Sequence, residues 1–77
     1  MNKNEALKLF ENYAEKKYGK IRVLSETEKK KRFLFEFCEK DDLFPVDYPI
    51  VSVEKSNRKI EELSFLDAEH RDIIYGD

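Results

Sequence analysis

Apolar side chains recur at spacings of three and four positions in the first part of the chain. This spacing places them on one side of an α-helix and predicts an amphipathic helix over residues 3–18. Asn2 is suited to cap the first turn, together with Glu5 three positions later, and Gly19 suits the end of the helix because glycine adopts left-handed backbone angles without steric cost. The residues of the stripe are Ala6, Leu7, Phe10, Tyr13, Ala14 and Tyr18.

The pattern changes to short apolar runs after Gly19. Residues 21–24 are mostly aliphatic and predict a first strand, and the polar residues 25–30 predict the turn that follows it. Residues 31–38 predict a second strand, because Phe33, Phe35 and Phe37 alternate with residues that point to the other face. We expect the helix to pack on this phenylalanine face.

The two prolines of the chain lie in residues 41–49 and predict a loop there, because proline cannot donate to a β-ladder and restricts the residue before it. Residues 50–54 read Ile-Val-Ser-Val-Glu and predict a third strand. The proline segment is therefore expected to connect the second strand to the third.

The last hairpin is predicted from a polar turn at residues 55–58, in which Asn57 is the residue that best tolerates a positive φ. Residues 59–65 follow as a fourth strand. Alternation fails between Ile60 and Leu63, which predicts either a β-bulge or a change of buried face.

These elements predict an α+β fold in which an N-terminal helix packs on a small antiparallel β-meander of three to four strands. Asp67 is suited to cap a short C-terminal helix that ends at Gly76. With 77 residues, the chain is expected to form one domain over residues 1–77 and to bury only about 60% of its unfolded surface. So small a domain has little room for a deep substrate cavity.

The composition of the chain indicates its cellular compartment. The sequence contains no continuous apolar stretch typical of a signal peptide or a membrane span, so no membrane association is expected. Cys38 is the only cysteine, which rules out the internal disulfides of small secreted domains. Both features predict a cytoplasmic protein.

Three segments together resemble a known family. They are the opening helix with Glu5-Ala6-Leu7, the aromatic strand from Phe33 to Phe37, and residues 49–60, which read as proline, apolar strand, polar turn and returning strand. The chain resembles the YrhB-like proteins of the immunity protein 35 family, from bacterial polymorphic-toxin systems. It departs from the family pattern at Ser56-Asn57, where a Thr-Gly type of pair is expected, and in having no tryptophan. The resemblance implies a cytosolic protein that neutralises a cognate toxin by binding, with no catalysis of its own.

The sequence lacks the residue sets that a catalytic or metal-binding site needs. Cys38 and His70 are the only thiol and the only imidazole, and nucleophilic catalysis also needs an orienting group and an oxyanion hole. A structural zinc site uses about four Cys or His ligands. Asp41, Asp42 and Asp47 do not follow the spacing of an EF-hand loop. We therefore expect no enzyme activity, no metal and no cofactor.

Charge is unevenly distributed along the chain. Residues 1–35 hold ten basic and five acidic side chains, whereas residues 36–77 hold five basic and twelve acidic side chains. The densest basic cluster is Lys29, Lys30, Lys31 and Arg32, which offers an alternative nucleic-acid patch at a hairpin tip. The simpler interpretation is a solvated turn whose charges protect the aromatic strand from aggregation.

The acidic half contains a segment that mixes carboxylates with apolar side chains. Carboxylates steer a basic partner and apolar side chains anchor it, so the mixture is typical of a protein-binding surface. The equally weighted alternative is that Phe44 and Tyr48 fold back on the core while the aspartates solvate the loop. The candidate partner-binding residues are Glu39, Asp41, Asp42, Leu43, Phe44, Asp47 and Tyr48.

The leading functional hypothesis is a cytosolic immunity or inhibitor protein that neutralises a toxin, or another basic protein, by stoichiometric binding. The alternative is a small nucleic-acid-associated regulatory domain that uses residues 29–32, although the net charge of −2 makes nucleic acid the less favoured partner. A Cys38-dependent activity is a distant third. The protein is expected to be a monomer or a weak homodimer that pairs through a free strand edge.

Overall fold

The computed structural model describes residues 1–76. They form one four-stranded antiparallel sheet with a helix at each end of the chain, and each strand pairs with the next strand in sequence. This confirms the predicted α+β meander. The elements are α1 (Lys3–Tyr18), β1 (Ile21–Glu28), β2 (Arg32–Glu39), β3 (Ile50–Glu54), β4 (Ile60–Leu63) and α2 (Ala68–Tyr75).

Helix α1 begins and ends where the sequence predicts. The Asn2 side chain accepts a hydrogen bond of 2.9 Å from the Glu5 N–H, which satisfies one free donor of the first turn. Gly19 has a φ of 82° and its N–H donates to the Glu15 carbonyl at 3.0 Å. A side chain at this position would strain the backbone, so glycine fixes the C-terminus of α1.

One face of the sheet, here called the α1 face, is covered by α1. Phe33, Phe35 and Phe37 are all buried on it, as the alternation predicts. The ring of Phe10 stacks on Phe35 with centroids 4.7 Å apart and meets the edge of Phe37 at 5.5 Å. Burial of each such ring contributes about 1.5–3 kcal/mol, so this aromatic cluster supplies much of the stability of a small domain.

The opposite face of the sheet, here called the α2 face, is covered only in part. Ile74 of α2 packs against Leu34, Ile50 and Leu63. The Asp67 carboxylate caps α2 by accepting a 2.9 Å hydrogen bond from the Glu69 N–H, which confirms the predicted short helix. Because α2 has only eight residues, it covers one section of this face.

Strand β1 is longer than the sequence predicts. It continues through the polar residues 25–28, which pair with β2, and the hairpin turn is confined to residues 29–31. The prediction was wrong here because an edge strand exposed to water needs ladder hydrogen bonds but few apolar side chains. The pairing register shifts between Val23 and Ser25, so Leu24 is the extra residue of a β-bulge.

Strand β4 is shorter than predicted and contains no bulge. Its register with β3 runs without a shift, and Phe65 falls beyond its end at Leu63. Ile60 packs with the core of the α1 face and Leu63 with that of the α2 face. The broken alternation therefore reflects a change of buried face, which is the second of the two predicted explanations.

The turn before β4 differs from the prediction in one residue. Arg58, with a φ of 60°, takes the left-handed conformation that was expected of Asn57. Asn57 instead uses its side-chain oxygen to accept a 2.9 Å hydrogen bond from the Lys59 N–H. This side-chain bond forms an Asx turn, which holds the hairpin without a left-handed Asn57.

Candidate functional site

The segment that mixes acidic and apolar residues, here called the acidic loop (residues 39–48), is held in place by Asp42. The Asp42 carboxylate accepts hydrogen bonds from the Tyr48 hydroxyl at 2.7 Å and from the Phe44 N–H at 3.0 Å. Its carbonyl accepts a 2.6 Å bond from the Arg22 guanidinium of β1. The Tyr48 ring meets Phe37 edge-on at 5.6 Å. The loop is therefore tied to both the sheet and the core.

The hydrogen bond to Asp42 raises the pKa of the Tyr48 hydroxyl, because the proton is shared with a carboxylate. The half-buried Tyr48 ring lies against the core, whereas Phe44 points into solvent and is 85% exposed. The two aromatic residues therefore behave differently. Tyr48 folds back, as the alternative interpretation expected, and Phe44 does not.

The acidic loop displays three large apolar side chains. Leu43 is 80% exposed and Val46 is 73% exposed, in addition to Phe44. The carboxylates of Glu39, Asp41 and Asp47 on the same loop are also exposed. Of the predicted partner-binding residues, Asp42 and Tyr48 thus support the loop and the other five face solvent.

A groove opens beside the acidic loop at one end of the sheet. The β2–β3 pairing stops at Phe35 and Val51, so residues 36–39 of β2 pair with β1 alone. A groove of about 730 Å³, here called the sheet-end groove, is lined by Glu36 and Phe37 of this section. Residues 45–50 and residues 64–66 border it, together with Leu24 of the β1 bulge.

Two segments distant in sequence supply exposed apolar groups to this groove. Val46 comes from the acidic loop, and Phe65 and Leu66 come from the turn between β4 and α2. Leu66 is 94% exposed and is the most exposed large apolar residue of the described chain. The bulge at Leu24 adds a fourth side chain, 47% exposed, because an extra residue redirects the strand locally.

The charged residues of the described chain that line the sheet-end groove are all acidic. They are Glu36, Asp47 and Glu62, and no lysine, arginine or histidine among residues 1–76 lines the groove. Lys17 of α1 forms an ion pair with Glu62, whereas no ion pair within residues 1–76 involves Glu36 or Asp47. The groove therefore carries uncompensated negative charge.

Glu62 also joins β4 to α1. Its carboxylate accepts hydrogen bonds from the hydroxyls of Tyr13 and Tyr18 and from the Lys17 ammonium. Burial alone would raise the pKa of Glu62, but these donors outweigh it and hold the pKa below its ordinary value. The hydrogen bond to Glu62 raises the pKa of Tyr13, and the same contact raises the pKa of Lys17.

The basic turn at residues 29–32 presents fewer free charges than its sequence indicates. Lys30 and Lys31 are exposed, but the Arg32 guanidinium donates to the Ser52 hydroxyl at 3.3 Å and lies 4.0 Å from Glu54. Phe33 is buried, so it is not accessible for stacking with a base. The nucleic-acid alternative stays a prediction, supported by two exposed lysines.

The thiol and the imidazole occupy structural positions. Cys38 is fully buried in β2. The Nδ1 atom of His70 accepts a 3.0 Å hydrogen bond from the Ser64 N–H, which holds the turn that carries Phe65 and Leu66. Within residues 1–76, no group of three or more His, Cys, Asp or Glu side chains is placed to hold a metal ion, and no helix is long and apolar enough to cross a membrane.

Comparisons with protein-family models, with curated proteins and with solved structures found no match to this chain. The resemblance to the immunity protein 35 family therefore stays a prediction. The sequence interpretation missed Leu24, Phe65 and Leu66 as parts of this surface. The apolar pair Phe65-Leu66 directly before the capping residue Asp67 was a usable signal, because it lies outside the predicted helix stripe.

Proposed function

We propose that this protein is an immunity or inhibitor protein that neutralises a basic partner protein, such as a toxin, by stoichiometric binding through the acidic loop. The observation that carries the proposal is that Leu43, Phe44 and Val46 are each at least 73% exposed on a loop whose backbone is held by hydrogen bonds. Large apolar groups grouped on a fixed loop are typical of an interaction site.

The fixed backbone favours tight binding. A loop that is already ordered loses little conformational entropy when a partner docks, so more of the burial energy of Phe44 is available for affinity. Asp42 provides this order by accepting from Tyr48 and from the Phe44 N–H. Truncation of Tyr48 is therefore expected to weaken binding indirectly, by releasing the loop.

The carboxylates of the loop define the charge of the partner. Glu39, Asp41 and Asp47 are exposed and favour a partner with a positive surface. Their expected effect is on the rate of association, which falls as salt screens the charges, whereas the apolar side chains govern the rate of dissociation.

Co-expression with the product of the adjacent open reading frame, followed by pull-down and a growth test, examines this proposal. We expect the protein to bind that product and to restore growth. Phe44→Ala should weaken the complex at least about tenfold, as truncation of an interface anchor does. Tyr75→Ala is a matched control for the acidic loop, because Tyr75 is also an exposed aromatic residue, 72% accessible, whose ring meets Phe65 rather than the loop. It should weaken the complex less than Phe44→Ala does.

Salt dependence separates this proposal from the nucleic-acid alternative. Affinity for nucleic acid should fall steeply with salt because counterions are released, and should be lost when Lys29, Lys30 and Lys31 are replaced by serine. The proposed protein complex should tolerate the same triple replacement. If the triple variant no longer binds the product of the adjacent open reading frame and a folded Phe44→Ala variant still binds it, the acidic-loop interface is contradicted.

A further inference from the structure

We infer that the sheet-end groove binds a basic segment of the partner, an extended or helical stretch in which lysine or arginine adjoins a large apolar side chain. This inference rests on the proposed function and extends the interface from the acidic loop to a second surface. The apolar side chain occupies the groove between Val46 and Leu66, and the basic side chains face Glu36 and Asp47.

The shape of the groove favours a protein segment. Its volume of about 730 Å³ is sufficient for several side chains, and it is open to solvent along the end of the sheet. Leu66, 94% exposed, and Val46, 73% exposed, extend the apolar surface beyond the groove itself. A partner segment covers the groove together with the exposed parts of these two side chains, whereas a small molecule enclosed in the groove would leave those parts exposed.

The charge of the groove favours a basic segment. Within the part of the chain that the structure describes, Glu36, Asp47 and Glu62 are its only charged lining residues, and only Glu62 has a cationic partner, Lys17. The Glu36 carboxylate accepts a 2.8 Å hydrogen bond from the Ser25 hydroxyl, a neutral donor that leaves its negative charge in place. An arginine or lysine is therefore the side chain that the rim of the groove complements.

The basic turn of a second copy fits the groove less well than a basic partner segment with an apolar side chain. Lys30 and Lys31 of the β1–β2 turn are exposed, but the neighbouring Phe33 and Leu34 are buried. The turn thus offers charge without an apolar side chain to fill the groove. The acidic loop of a second copy would bring like charges to Glu36 and Asp47.

The probe for this inference is a library of random-sequence peptides displayed on phage and selected on the full chain. We expect the selected peptides to combine lysine or arginine with leucine, phenylalanine or tryptophan. One selected peptide is then synthesised and compared with a control in which each basic residue is glutamate. The control should bind at least about tenfold more weakly, and amide chemical-shift changes should centre on Val46, Phe65 and Leu66.

Two substitutions of the same kind separate the groove from the loop. Leu66→Ala should weaken binding of the synthetic peptide at least about tenfold. Leu43→Ala makes the identical change on the acidic loop, outside the groove lining, and should weaken peptide binding less than Leu66→Ala does. Glu36→Gln and Asp47→Asn should reduce the salt dependence of peptide binding. Asparagine suits position 47 because Asp47 has a φ of 63° and asparagine tolerates that conformation.

The outcomes distinguish this inference from the proposed function. Selection of acidic or wholly apolar peptides, no selection above background, or equal peptide affinity in the folded Leu66→Ala variant would overturn the groove inference. If Phe44→Ala nevertheless abolishes growth rescue, the proposed function stands without the groove. Self-association that is lost in Leu66→Ala would assign the groove to a second copy and also overturn the inference.

Discussion

The two faces of the sheet differ in how completely they are covered. On the α1 face, a sixteen-residue helix buries Phe33, Phe35 and Phe37 under Phe10. On the α2 face, an eight-residue helix covers a patch around Leu34 and leaves exposed apolar groups beside it. The chain thus places most of its aromatic residues in one closed core. The most exposed large apolar side chains lie outside that core, and they include Leu43 and Phe44 of the acidic loop and Leu66 of the turn between β4 and α2.

The largest expected effect on stability comes from a substitution in the core of the α1 face. Phe35→Ala removes a fully buried ring that stacks on Phe10, and should reduce the free energy of unfolding by about 3–5 kcal/mol. Because small domains have stabilities of about 5–15 kcal/mol, the variant is expected to be largely unfolded or close to it. Denaturant titration measures the loss. A loss below about 1 kcal/mol would show that the α1 face is not the main core.

A smaller effect is expected from the corresponding change on the α2 face. Ile74→Ala should cost about 2 kcal/mol, at the low end for a buried isoleucine, because Ile74 packs on only a few side chains. Hydrogen exchange should show faster opening of α2 with little change in the strands. Equal acceleration throughout the sheet would mean that the two faces unfold as one unit.

The polar contact between α1 and β4 gives a pH-dependent prediction. The lowered pKa of Glu62 means that its ionised form stabilises the fold above the ordinary value of 4.5, and that this stability is lost as pH falls through the lower folded pKa. Glu62→Gln should therefore cost about 1 kcal/mol at neutral pH and less in acid.

Urea titrations at neutral and acidic pH test this difference, with Glu61→Gln as the control. Glu61 is the adjacent residue of β4 and its pairing with Ser52 places it on the opposite face, away from α1. Its replacement should leave the pH dependence of stability unchanged. A similar pH effect for both variants would show that the contact with Lys17 and the tyrosines contributes nothing specific.

The smallest expected effect on stability comes from the acidic loop. Phe44→Ala should change the free energy of unfolding by no more than about 0.5 kcal/mol, because the side chain is 85% exposed. Thermal unfolding and partner binding measured on one preparation test this separation. A stability loss comparable to that of Ile74→Ala would show that Phe44 supports the fold and would remove it from the interface.

The elements with one strong pattern were predictable from the sequence. Helix α1 has a stripe and two caps, and β2 has alternating phenylalanines, so both lie within a residue of their predicted bounds. The second half of β1 was missed because its polar residues 25–28 are held by ladder hydrogen bonds, which the apolar pattern does not report. Hydrogen bonding at a sheet edge is a property of the neighbouring strand as well as of the segment itself.

The candidate site was only partly predictable for a related reason. The composition of the acidic loop predicted a binding surface there, and Leu43, Phe44 and Val46 of this loop are exposed. The difference between Phe44 and Tyr48 depends on Asp42 and on Phe37, which are contacts that composition does not reveal. The sheet-end groove joins Leu24, Val46 and Leu66, and segments so far apart in sequence meet only after the sheet has formed.

The bulge at Leu24 also limits how the sheet can grow. Strand β1 is an outer strand, and its side-chain alternation shifts by one residue between Val23 and Ser25. An additional strand of regular geometry can match the part before the bulge or the part after it, but not both. Continuous edge-to-edge polymerisation along β1 is therefore disfavoured, which lowers the tendency of this edge to start β-sheet fibres at high protein concentration.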